Sequence, residues 1–86
     1  MDLFFEVKAT TGDVPEFDLG DSQVKFARAC VGRGSGTKAF RVLFVSNVLD
    51  SRKRRVDWLP NPMDPKFRDF YRFPGSGLTC AFRPAS

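Results

Sequence analysis

Few residue types in this 86-residue chain can do chemistry, and the missing ones narrow the field first. There is no histidine, which excludes imidazole acid–base catalysis and histidine-bearing metal sites. Cys30 and Cys80 stand fifty residues apart. Two cysteines alone make no zinc site, and neither has an imidazole to take its proton. They are expected to be free buried thiols, with a disulfide as the alternative if their strands are neighbours. No acid–base pair and no nucleophile–base set is visible. The chain therefore reads as non-enzymatic, with no catalytic residues, metal or cofactor.

What remains is charge and aromatic area. Ten Phe, one Trp and one Tyr accompany fourteen basic and ten acidic residues, a net of +4. The signs are segregated. Up to Ser22 there is one basic residue against six acidic ones, a net of −5; from Gln23 onward thirteen basic residues face four acidic, a net of +9. Cations repeatedly adjoin rings, as in Phe40-Arg41, Lys66-Phe67-Arg68 and Phe70-Tyr71-Arg72-Phe73. Phosphates follow cations and unpaired bases stack on rings, so this mixture suits a single-stranded nucleic-acid platform. Its candidate residues are Arg41, Arg52, Lys53, Arg54, Arg55 and Arg72, with Trp58 and Tyr71 for stacking and Phe73 beside them. The run Arg52–Arg55 also resembles a nuclear-import address, but it lies between two expected strands, where a fixed patch is the better reading.

Two further features are weaker. VGRGSGTK (31–38) fails the phosphate-loop pattern because Thr37 precedes Lys38 after Gly36, and no helix is signalled behind it. It reads as a hairpin tip, in which Arg33 and Lys38 could contact a phosphate. Asp13, Glu16, Asp18 and Asp21 lack calcium-loop spacing and read as a solvated acidic loop, with a second use as a decoy for a basic groove.

These residues must be held by short strands. KAFRVLFVSNVL (38–49) is apolar on both faces when extended, so it should lie centrally with something packed on each side. Leu3, Phe5, Val7 and Ala9 alternate with polar residues and predict a half-buried strand, only Phe4 breaking the polar side. Residues 10–22 read as an acidic connecting loop tethered by Phe17 and Leu19. Gln23 to Val31 alternates as a second strand, joined to the central one by a glycine-rich hairpin at 32–36. Further strands are expected at Arg54–Leu59 and Leu78–Arg83. Asp64-Pro65 signals one short helix near 65–72.

The expected fold is a single small domain, mainly β with that short helix: about five strands in an antiparallel sheet or a half-open barrel. The leading functional expectation is a small module binding DNA or RNA. The alternative is a protein-binding inhibitor or adaptor that covers its partner's surface through the acidic 13–21 loop or the basic 52–55 patch. Homo-oligomerisation is a further expectation. No membrane-spanning run is present, so a soluble intracellular protein is expected, cytoplasmic or nuclear.

Overall fold

The computed structural model describes residues 2–31, 38–74 and 78–83, and in it the expected second strand is a helix. Asp21–Ala29 forms α1. Nine residues fit both periods, and the helical one buries better. Val24, Ala27 and Cys30 fall on one side and are all buried, while Arg28, which alternation placed beside Val24 and Cys30, stands exposed. The Gln23 side chain accepts from the Gly20 N–H at 2.8 Å, satisfying a donor at the helix start. Asp21 in the first turn and Arg28 in the last complement the helix dipole.

That helix changes the topology. With α1 as crossover, β1 (Asp2–Ala9) pairs with β3 (Lys38–Ser46) in parallel, unbroken from Asp2↔Lys38 to Ala9↔Val45. The antiparallel hairpin expected here is replaced, because a crossover of this length is what parallel neighbours require. Its glycine-rich residues 32–36 lie outside the described residues. β4 (Arg55–Leu59) returns antiparallel to β3, so β3 is central in a β1–β3–β4 sheet, as its apolar run predicts.

A second sheet comes from segments expected as a loop and a helix. Within 10–22, Glu16–Asp18 forms β2, while Phe17 and Leu19 are buried as the tethers they were read to be. Asp64 does cap a helical start, accepting from the Lys66 N–H at 3.0 Å. The helix is a single 3-10 turn over Pro65–Phe67. Tyr71–Arg72 then becomes β5, because pairing with β6 (Thr79–Phe82) and burial of the Tyr71 ring outweigh a second turn. The order is β2–β6–β5, antiparallel throughout. The fold is mainly β with one short helix, in two three-stranded sheets that close no barrel.

One face of the first sheet carries both other parts. Phe26 of α1 lies 4.9 Å from Phe4 and 6.0 Å from Phe40 between ring centres. On the other half, Phe44 meets Phe82 at 5.2 Å and Phe17 at 6.0 Å. Phe44 is fully buried, and truncating such a ring costs about 3–5 kcal/mol.

The segment after β4 is tied to the helix by buried Asn61, whose Nδ2 donates to the Ala27 carbonyl at 2.8 Å while Oδ1 accepts from the Met63 N–H at 2.9 Å. Asn61→Ala leaves the Met63 N–H without this acceptor and the Ala27 carbonyl with the Cys30 N–H alone. A loss of about 2 kcal/mol in urea unfolding is expected, and a change below a few tenths would show that water replaces the amide.

Candidate functional site

The polarity of β1 is inverted relative to its alternation. Glu6 and Lys8 point inward, towards α1: Gln23 Nε2 donates to Glu6 Oε1 at 2.6 Å and Lys8 Nζ donates to Gln23 Oε1 at 3.1 Å. Phe4, the residue that broke the polar side, shares that inward face and packs on Phe26. Leu3, Phe5 and Val7 therefore point outward. In register beside them stand Ala39, Arg41, Leu43 and Val45, followed by Val56 and Trp58 of β4.

This outer face has no covering layer among the described residues, contrary to the expectation that β3 is packed on both sides. Leu3, Phe5, Val7, Val56 and Trp58 are each 49–54 % exposed. Covering the exposed half of such a side chain is worth on the order of 1 kcal/mol. Phe5 and Trp58 meet edge to face across the central strand at 5.7 Å. Arg41 places its guanidinium carbon 5.7 Å from the Trp58 ring centre and donates from Nε to the Leu59 carbonyl at 3.5 Å. Arg41 is the only charged residue at an outward position of these three strands, and no described carboxylate pairs with it.

Arg41 and Trp58 also line a cavity of about 530 Å³ beside the face. Phe40, Phe67, Phe70 and Pro60 supply apolar wall, and Asn61 and Asp64 supply polar atoms. A volume of this size accepts a large side chain or a small organic molecule.

The remaining candidates are scattered. The β3–β4 turn, which starts at Asn47 with a left-handed φ of 50°, is stitched internally. Asn47 Nδ2 donates to the Lys53 carbonyl at 3.2 Å, and Arg54 holds the Val48 carbonyl with Nε and Nη2. Arg55 pairs with Asp57 at 3.3 Å. Arg52 and Lys53 are exposed and carry no ion pair among the described residues. Tyr71 is no stacking surface: it is buried, and its hydroxyl donates to the Pro60 carbonyl at 2.6 Å. Burial pushes that hydroxyl far above the ordinary phenol range, the Cys80 thiol adding to the shift and Arg41 opposing it. Arg72 stands exposed on the second sheet, beside Ala81. Phe73 is also exposed.

The acidic residues do not share one loop. Glu16 and Asp18 belong to β2, Asp18 accepts from the Thr79 hydroxyl at 2.6 Å, and Asp21 opens α1. Asp13 is exposed ahead of β2. Among the described residues no cluster could hold a metal ion. Arg33 lies outside the described residues, and of Lys38 only its place in β3 is described. No helix of the described residues is long and apolar enough to cross a membrane. Family models, curated proteins and solved structures yield no match to this chain.

Of the described residues singled out from sequence, the structure joins Arg41 and Trp58, keeps Arg52–Arg55 together at the β3–β4 turn, and sets Tyr71 and Arg72 on the second sheet. It adds Phe5, Val7 and Val56. Phe4 was the available signal: an apolar residue on the polar side of β1 means that either side could face inward.

Both cysteines are buried and free. Burial first, then the Asp18 carboxylate, pushes the Cys80 thiol up from 9 to about 11, with Lys8 opposing. The fold therefore favours the neutral thiol. Its contribution to stability is complete below pH 9 and is lost as pH rises through 11. The melting temperature should fall over this window by less in Cys80→Ala than in the parent, and an equal fall would rule out the thiol as a source.

Proposed function

We propose that this chain is a non-enzymatic protein-binding module whose docking element is the outer face of β1–β3–β4. The observation that carries the reading is the bare apolar face with a Phe5–Trp58–Arg41 centre. Interface centres are depleted in charge and enriched in aromatic residues and Arg, and Trp and Arg dominate their energetics. The partner this chemistry fits has an apolar surface, one carboxylate to meet Arg41, and a side chain able to enter the adjoining cavity. The docking element differs from both sequence candidates: Glu16, Asp18 and Asp21 are bound into β2 and α1, Arg54 holds the Val48 carbonyl of its own turn, and Arg55 pairs with Asp57 within β4.

Nucleic-acid binding is the second reading. What favours it is the pair Arg52 and Lys53, exposed at the end of the same sheet. A face with one cation among so many aliphatic residues supports it less well, since phosphate contacts supply most of such affinity.

A photo-crosslinking residue at Val56 is expected to trap a protein partner, and the same residue at Arg72 is not. With the trapped protein purified, Arg41→Glu and Trp58→Ser should each weaken binding at least about tenfold without moving the unfolding midpoint. Oligonucleotide titration followed by Trp58 fluorescence gives the opposing result. Saturable quenching whose affinity falls steeply with salt would replace this reading by the second one.

A further inference from the structure

The first sheet has a gap where β4 stops before β3 does. β4 pairs with β3 only from Arg55 opposite Ser46 to Leu59 opposite Val42. Pro60 follows, and it has no N–H with which to continue a ladder. Residues 38–41 of β3 therefore have β1 on one side and no strand on the other among the described residues. The chain beyond Pro60 does not close the gap, because it is fastened elsewhere. The Pro60 carbonyl accepts from the Tyr71 hydroxyl at 2.6 Å, and Asn61 is held on the Ala27 carbonyl of α1 at 2.8 Å.

What stays open is the cavity of about 530 Å³ beside Arg41 and Trp58. Its rings come from separate elements: Phe40 from β3, Trp58 from β4, Phe67 from the 3-10 turn and Phe70 from the segment after it. Walls pinned in this way form a site before anything enters it, and aromatic walls suit a flat apolar body. Two charged side chains line the cavity, and they differ in what is left to them. Asp64 has Oδ1 on the Lys66 N–H as the cap of the 3-10 turn. Arg41 commits only Nε, in a long bond of 3.5 Å to the Leu59 carbonyl. Its two Nη atoms have no hydrogen-bond or ion-pair partner among the described residues. Such a pair of nitrogens holds a carboxylate through two parallel bonds. One carboxylate is matched there, and a second would meet Asp64.

We propose that this cavity binds a free small molecule, a flat aromatic body carrying a single carboxylate that Arg41 holds. The site is independent of whether the outer face docks a protein. Arg41 and Trp58 belong to both, but Phe67 and Phe70 belong to the cavity alone and Val56 to the face alone.

Trp58 is the only tryptophan, so its indole N–H gives a single signal in a proton–nitrogen correlation spectrum. Cinnamate is the probe, with cinnamamide as its uncharged counterpart. The signal should move saturably with cinnamate, with a dissociation constant of about 1 mM or below. Cinnamamide should bind at least about tenfold more weakly. Arg41→Gln should bring cinnamate down to the level of the amide and leave the amide unchanged. Phe67→Ala removes a wall and should weaken both ligands. Ala39→Leu fills the space from the β3 side and should do the same without the loss of a packed ring. Val56→Ser should change neither affinity. No saturation by about 10 mM cinnamate overturns the proposal. So does equal affinity for the amide, or binding that survives both Phe67→Ala and Ala39→Leu. Loss of binding in Val56→Ser instead overturns it by placing the ligand on the outer face. A crosslinked partner at Val56 without cinnamate binding would sink this site and leave the docking face standing.

Discussion

A three-stranded sheet has two faces, and the other elements among the described residues cover one. Helix α1 and the second small sheet both lie on the inner side of β1–β3–β4, where Phe40, Val42, Phe44 and Leu59 are buried. The ring cluster of Phe17, Phe44 and Phe82 needs the second sheet in that place, and the Phe4–Phe26–Phe40 contact needs the helix. Small chains have little core to spare, so dividing these parts between two faces would leave neither half well filled. Bareness on the outer side follows from completeness on the inner one.

Gln23 makes that choice of face workable. β1 turns a carboxylate and an ammonium towards the interior, an expensive arrangement unless both are bonded. A single amide serves both, donating to Glu6 and accepting from Lys8, while its oxygen also caps the start of its own helix. Burying charged ends under a helix and exposing Phe5 reverses the usual sense of an amphipathic strand. The reversal rests on one side chain of α1.

What could be read from sequence follows from how local each signal is. The centrality of β3, the strand after the basic turn, the Asp64 cap and the tethers Phe17 and Leu19 depend on runs or neighbouring residues, and each was legible. Residues 21–29 were not, because Val24 and Cys30 suit both a period of two and one near three and a half; Ala27 against Phe26 decides, and the decision lies in the packing. The outward face of β1 was hidden for a different reason: its inward charges are satisfied by a residue seventeen positions from Glu6 and fifteen from Lys8. Arg41 could be singled out as a cation of the central strand and Trp58 as a ring beside turn residues and charge, though not as neighbours. Their companion Phe5 could not, since alternation alone assigned it to the interior. Tyr71 was misjudged because adjacency to charge says nothing about which way a ring on a short strand points.

The pairing of β2 with β6 sets Phe17 against Cys80, more than sixty residues apart in the chain. While this chain is being synthesised, β1 waits for β3, and β2 waits longer still, for residues 79–82. The β3–β4 hairpin needs only its own turn and can form early, but its inner face stays open until β6 delivers Phe82. Contacts of such long sequence separation slow folding, because the loop between them must close before any of their energy is gained. A nascent chain halted before residue 79 would hold β2 and β5 without their shared partner and Phe44 without Phe82, the kind of open surface that chaperones recognise.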